Sequence, residues 1–115
     1  MPSGKKKVFT GDSFPLAVDL KDDDDFDEIP LDAVVTVGFV ANRRSRDLLA
    51  GPWTASAATP GANWTNGRVV VNVVGADTEG LDPQSVLVEV QVVVGSTRIS
   101  YQTKSWASLT KASLP

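Results

Sequence analysis

The stretch from Val86 to Trp106 constrains the fold more than any other. Val86, Val88, Val90, Val92 and Val94 alternate with Leu87, Glu89, Gln91 and Val93, the period-two pattern of a strand with one apolar and one wetter face. Gly95-Ser96 then turns the chain. A two-residue loop that opens with Gly suits a type II′ turn, because Gly accepts a positive φ and the turn's twist matches the strands it joins. That turn sets the register: Val94 faces Thr97, Val92 faces Ile99, Val90 faces Tyr101 and Val88 faces Thr103. Val93 with Arg98, Gln91 with Ser100 and Glu89 with Gln102 share the other face. A slip of one residue would place Arg98 opposite Val92 and destroy the agreement between the two strands, so the pattern itself selects the pairing.

The rest of the chain must supply partners for that valine face. Val8 to Leu20, interrupted near Gly11, carries Phe14, Leu16, Val18 and Leu20 in alternation with Pro15, Ala17 and Asp19. Pro15 has no N–H to give a ladder, which marks an outward edge or a strand start. Ala33 to Asn42 is apolar on both faces, with Val35, Val37 and Phe39 on one and Val34, Thr36, Gly38 and Val40 on the other, as a central strand requires. Trp53 to Ala58 is a further short strand candidate before Thr59-Pro60-Gly61. Asn66-Gly67 is a tight-turn dipeptide, and it places Trp64 in a hairpin with the strand from Arg68 to Val74. Gly75 to Pro83 has room for one helical turn, with Asp77 as a candidate N-cap. Short strands separated by polar or Gly/Pro breaks, with no long helical period, predict an all-β domain, an antiparallel two-sheet β-sandwich, with an open barrel as the rival. The expected core is Phe14, Leu16, Val18, Val35, Val37, Phe39, Val69, Val71, Val73, Val88, Val90, Val92, Ile99 and Tyr101. The expected division is a flexible basic arm over residues 1–9, the β domain over 10–109 and a tail over 110–115.

Composition narrows the chemistry. The 115 residues include no Cys and no His, which removes disulfides, thiolate metal sites, the commonest general base and every Ser-His or Cys-His nucleophile. The expectation is therefore a non-enzyme. A net charge of −3 opposes a nucleic-acid footprint, which needs a positive field. The start is polar after its lysines and no stretch has the length of a membrane span, so the expected product is made in the cytoplasm and has no membrane partner. Asn63-Trp64-Thr65 matches a glycosylation acceptor, read here as chance because no secretory signal accompanies it.

Three polar clusters and three indoles are the candidate contacts. Lys5, Lys6 and Lys7 form a basic triplet that reads as a solvated arm or as a dock for a neighbour. Lys21 to Glu28 is strongly acidic, and Asp23, Asp25 and Asp27 have the alternate spacing of a calcium loop. Counted from Asp23, however, Glu28 and Val34 stand where an EF-hand needs its Gly and its last carboxylate, so a repelling, solvated connection is the competing reading. Arg43, Arg44 and Arg46 occupy a polar loop; such guanidinium groups grip carboxylates or phosphates bidentately, and the acidic loop of another copy would be a partner of opposite sign. Core is the default place for Trp53, Trp64 and Trp106, but they lie near breaks, where an indole often sits at a sheet end and can meet a partner or ligand.

The order Thr10-Gly11-Asp12-Ser13-Phe14-Pro15-Leu16, an alternating strand, an acidic turn, Ile29-Pro30-Leu31-Asp32-Ala33 and a valine-rich strand resembles the start of the immunoglobulin-like N-terminal domain of phage baseplate upper proteins, and related small β domains of tailed-phage structural proteins. The likeness runs from about Thr10 to Tyr101 and includes the later Asn-Gly-like turn and the closing hairpin. Pro30-Leu31-Asp32 stands where that family carries a segment like Ile-Asp-Leu-Thr, and the absence of further domains leaves head-decoration, neck and tail roles open beside the baseplate. The resemblance implies an immunoglobulin-like sandwich, a virion location and a role in assembly, with other virion proteins as partners and repeated copies packing as a homo-oligomer. Partner contacts would then fall on Lys5, Lys6, Lys7, Arg43, Arg44, Arg46, Trp53 and Trp64, and on exposed strand edges. The alternative is a carbohydrate-binding sandwich module with Trp53, Trp64 or Trp106 as stacking platform and calcium at Asp23, Asp25 and Asp27. A carboxylate hydrolase is the remaining reading; it lacks an apolar neighbourhood for its acids.

Overall fold

A computed structural model of the chain describes residues 6–20, 28–41, 48–102 and 107–111. The chain is nearly all β. Its strands are β1 (Lys6–Phe9), β2 (Phe14–Asp19), β3 (Val34–Ala41), β4 (Leu48–Ala55), β5 (Arg68–Val73), β6 (Gln84–Val94), β7 (Thr97–Gln102) and β8 (Ala107–Thr110). A 3-10 turn at Trp64–Asn66 precedes β5, and a single helical turn, α1 (Gly75–Thr78), follows it.

β6, at 11 residues the longest strand, is the spine. One of its edges pairs with β3 over Val86–Val93. The other is shared: Glu89–Val94 pair with β7, and Gln84–Val86 pair with β8. β4 continues the sheet beyond β3, and β1 continues it beyond β8. β2 and β5 form a separate antiparallel pair in which Leu16 faces Val71 and Val18 faces Val69. The β6–β7 register is the one that the alternation predicts, from Val94 opposite Thr97 to Glu89 opposite Gln102, and Gly95 takes φ 61°. Thr103 lies outside the described residues.

The larger sheet is mixed rather than purely antiparallel, because β1 runs parallel to β8, with Val8 opposite Leu109. A parallel pair needs a long connection, and here almost the whole chain separates the two strands. Lys6–Phe9 are thus part of the sheet and not of a free arm, and Val8 is 2% exposed.

Side chains from both sheets share one core: Leu16 and Val18 from β2, Val35, Val37 and Phe39 from β3, Val69, Val71 and Val73 from β5, and Val86, Val88, Val90 and Val92 from β6. Burying apolar surface of this kind is the main favourable term in folding. β3 is central as expected, and Val40 and Ala41 on its second half are buried as well. The observed core adds Val8, Leu20, Ile29, Val86 and Leu109 to the expected set, and two expected residues are not fully buried. Ile99 is 41% exposed, and Phe14 is half-buried at the margin of the core.

The connections are fixed by particular residues. Between Asn63 and Arg68, Gly67 takes φ 83° and returns its N–H to the Trp64 carbonyl at 3.0 Å, so Asn66-Gly67 closes a 3-10 turn rather than a two-residue hairpin loop. α1 begins after Val74, not at Asp77. The turn is held to the β1–β2 loop: Ser13 Oγ accepts from the Gly75 N–H at 2.9 Å, and Thr78 Oγ1 accepts from the Gly11 N–H at 3.0 Å while donating to the Gly75 carbonyl at 3.2 Å. Thr78, fully buried, is thereby satisfied on both sides.

Candidate functional site

The surface offers three features that chemistry or a partner could use. The first is the outer edge of β7. The two-residue loop makes Val94 and Thr97 the closing hydrogen-bonded pair, so the N–H and C=O groups of Thr97, Ile99 and Tyr101 point to β6 while those of Arg98, Ser100 and Gln102 point away. Among the described residues no strand covers that edge. Tyr101 is buried, but Thr97, Arg98, Ile99 and Ser100 are exposed.

The second feature adjoins it on the inner side of the hairpin. A cleft of about 180 Å³ lies between Ile29 and Pro30 on one side and Val92, Val94, Ile99 and Tyr101 on the other. Ile29 is buried, whereas Val94 is 38% exposed. The hairpin's apolar face thus runs on past the layer that covers it. Leu31 is 75% exposed just after Pro30, and Val34, 57% exposed, lies on the other face of β3, opposite Val93.

The third lies on the outer face of β3, β4 and β6. A groove of about 240 Å³ is bounded by Thr36, Val40, Leu48, Pro52, Glu89 and Gln91, with Gly38 among its lining residues. A Cβ on Gly38 would stand 2.7 Å from Leu48 Cδ1 and 3.1 Å from the Ala50 carbonyl oxygen, so the missing side chain is what lets Leu48 lie over β3. Gln91 Nε2 donates to Glu89 Oε2 at 3.2 Å along one wall.

No protein family, curated protein or solved structure matches this chain. The site must be judged on its own residues.

Trp53 and Trp64 are placed in the core, 6% and 4% exposed. Trp53 packs edge-on against Phe39, with ring centroids 5.2 Å apart and planes at 80°, and its indole N–H donates to Asp77 Oδ2 at 2.9 Å. The ring is buried while its polar tip reaches a carboxylate at the rim, the division of labour that an indole permits. Trp64 Nε1 is buried and has no hydrogen-bond partner among the described residues. Neither indole offers solvent a flat stacking face. Of the basic triplet, Lys7 is exposed on β1, Lys6 begins that strand, and Lys5 lies outside the described residues. Asp23, Asp25, Asp27, Arg43, Arg44, Arg46 and Trp106 also lie outside them. No group of three or more metal-ligating side chains occurs among the described residues.

Sequence reading missed the open edge because alternation assigns a residue to a face and says nothing of how far the opposite layer reaches. It missed Asp77 as the partner of Trp53 because the two are 24 positions apart in the chain.

Proposed function

We propose that this chain is a structural protein of a tailed-phage particle, in the baseplate, tail, neck or head decoration, and that it acts by protein–protein assembly and not by catalysis. The observation that carries the reading is the β7 edge, which no strand covers among the described residues, with the apolar cleft beside it, since an unpaired strand edge is a template for another chain and is usually blunted where no partner is meant to bind. The resemblance of Thr10 to Tyr101 to the N-terminal domain of baseplate upper proteins supplies the particle. In this reading the β2–β5 pair and the larger sheet are the two layers of an immunoglobulin-like sandwich, with β1 beside β8 closing one edge. The domain works without a cofactor, repeats as a homo-oligomer among other virion proteins, and takes modest affinity from each contact while symmetry multiplies it.

The carbohydrate-binding alternative gains nothing from the placement of Trp53 and Trp64, whose rings are in the core. The test is to induce a resident prophage in the source cells, purify the released particles and quantify this polypeptide by peptide mass spectrometry. A fixed ratio to the major capsid protein is the expected result. Absence from intact particles would refute the reading.

A further inference from the structure

The free edges of the two sheets are not alike. β1 is only four residues long and begins Lys6-Lys7. β4 carries Pro52 and pairs with β3 through an irregular register. In β2, Leu20 sends its N–H to the Gly67 carbonyl at 2.8 Å, continuing the ladder with β5. Alternation then turns position 15 outward, where Pro15 offers no donor. Short length, lysine, proline and irregular pairing are the devices by which natural sheets keep edges from pairing. β5, the other strand of the two-stranded sheet, has Val69, Val70 and Val71 buried. β7 is exposed along Thr97–Ser100, and its six residues, Thr97–Gln102, contain no Pro, no Lys and no break in register with β6, with Arg98 as their one charge.

We propose that β7 pairs antiparallel with β7 of a second copy of this chain, about a two-fold axis at Ser100, to give one sheet continuous across both molecules. The inference rests on the assembly reading and names its surface. The register follows from the edge itself. The outward groups belong to Arg98, Ser100 and Gln102, so only pairings that set these opposite one another close a ladder. Centring on Ser100 sets Arg98 against Gln102 of the other copy and Ser100 against its own equivalent, for about six main-chain hydrogen bonds. Shifting the centre to Ile99 loses two of these from the strand, and shifting it to Arg98 sets like charges face to face.

The side chains agree with that register on both faces. On the inner face Ile99 meets Tyr101 of the other copy, so the row Val90–Tyr101 continues into the second molecule's Ile99 and Val92 without a polar break. Ile99, 41% exposed in the single chain, thereby gains apolar cover on its open side. On the outer face the row Glu89–Gln102 continues into the second copy's Arg98. Arg98 then stands two strands from Glu89, about 10 Å between backbones, a span that the two long side chains bridge, and the two-fold axis makes this contact twice.

The experiment is sedimentation velocity with light-scattering mass measurement on the full chain, over about two decades of concentration, since dimerisation is driven by mass action. The wild-type chain should pass from one chain mass to twice that mass. Ser100→Pro removes an outward N–H and leaves the β6 ladder whole; it should weaken association at least about tenfold, a change of ~1.4 kcal/mol, with the far-UV spectrum unchanged. Ile99→Asp, which changes a side chain and no backbone donor, should do the same and serves if the proline disturbs the strand. Arg98→Glu should also weaken association, and the loss should shrink at high salt. A wild-type chain that stays monomeric throughout, or that shifts only when a different protein is added, overturns the self-pairing. A dimer that survives both Ser100→Pro and Ile99→Asp places the contact on another face and also overturns it. The two readings fail separately: a monomer found in purified particles refutes this pairing alone, whereas a β7-dependent dimer absent from particles supports the pairing and refutes the particle role.

Discussion

Gly75→Ala should destabilise the domain, although helix propensity says the opposite. Gly75 opens α1, and in a helix Ala is favoured over Gly by up to about 1 kcal/mol. In the fold, however, a Cβ at Gly75 would stand 2.1 Å from the Gly11 carbonyl oxygen, 2.7 Å from the Gly11 carbonyl carbon and 3.0 Å from that of Asp12. All three are backbone atoms, so no rotamer change relieves the contact. The loop must retreat, and in retreating it strains the bonds from Gly75 N–H to Ser13 Oγ and from Gly11 N–H to Thr78 Oγ1. Overpacking of this kind costs about 1–3 kcal/mol, and weakening a buried hydrogen bond adds about 1 kcal/mol. Against these, propensity returns up to about 1 kcal/mol, which leaves a net loss of ~1–3 kcal/mol. At about 4 °C per kcal/mol for a domain of this size, the melting temperature should fall by roughly 4–12 °C. Urea titration followed by tryptophan fluorescence measures the change directly, and an unchanged m-value would place it in stability rather than in the unfolded state. A variant as stable as the wild type, or more stable, would refute the packing of the β1–β2 loop on α1.

Three further outcomes test the core and its rim. Trp53→Phe and Asp77→Ala combined in a double-mutant cycle should show a coupling of ~1–2 kcal/mol, because each single change breaks the 2.9 Å bond between Trp53 Nε1 and Asp77 Oδ2; a coupling near zero in urea titrations would remove that bond from the account. Phe39→Ala should cost ~3–5 kcal/mol, since Phe39 is fully buried and packs on Trp53; a loss below about 1 kcal/mol would place the ring at the surface. Asp19→Ala should change stability by less than ~1 kcal/mol despite the two contacts from Arg68 at 3.0 and 3.2 Å, because both side chains are about half exposed. A larger loss in thermal melts would show that the pair holds the β2–β5 register.

Strand existence and face assignment were legible wherever alternation was strict. The β6–β7 register, the apolar face of β2 and the two buried faces of β3 all follow from side-chain order and one turn. The partners of each strand were less legible. β1 reads as a terminal arm because four residues with two lysines carry no pattern of their own; Val8 becomes core through Leu109, roughly a hundred positions away in the chain. Trp53 reads as core by default and as a partner contact only because it stands near a Gly-Pro break; its burial comes with Phe39 from β3 and Asp77 from α1.

The sequence by itself determined an all-β domain without thiol or imidazole chemistry, and the inward sets of β2, β3, β5 and β6, because these depend on residue type and on a period of two that any strand imposes on its own side chains. Only the tertiary structure decided which edges and apolar faces are left uncovered among the described residues. Ile99 and Val92 share one face of the hairpin, yet one is 41% exposed and the other 5%. Val92 lies on β6, flanked by β3 and β7, whereas β7 has, among the described residues, no strand on its other side; that strand order is something no pattern within a single strand records.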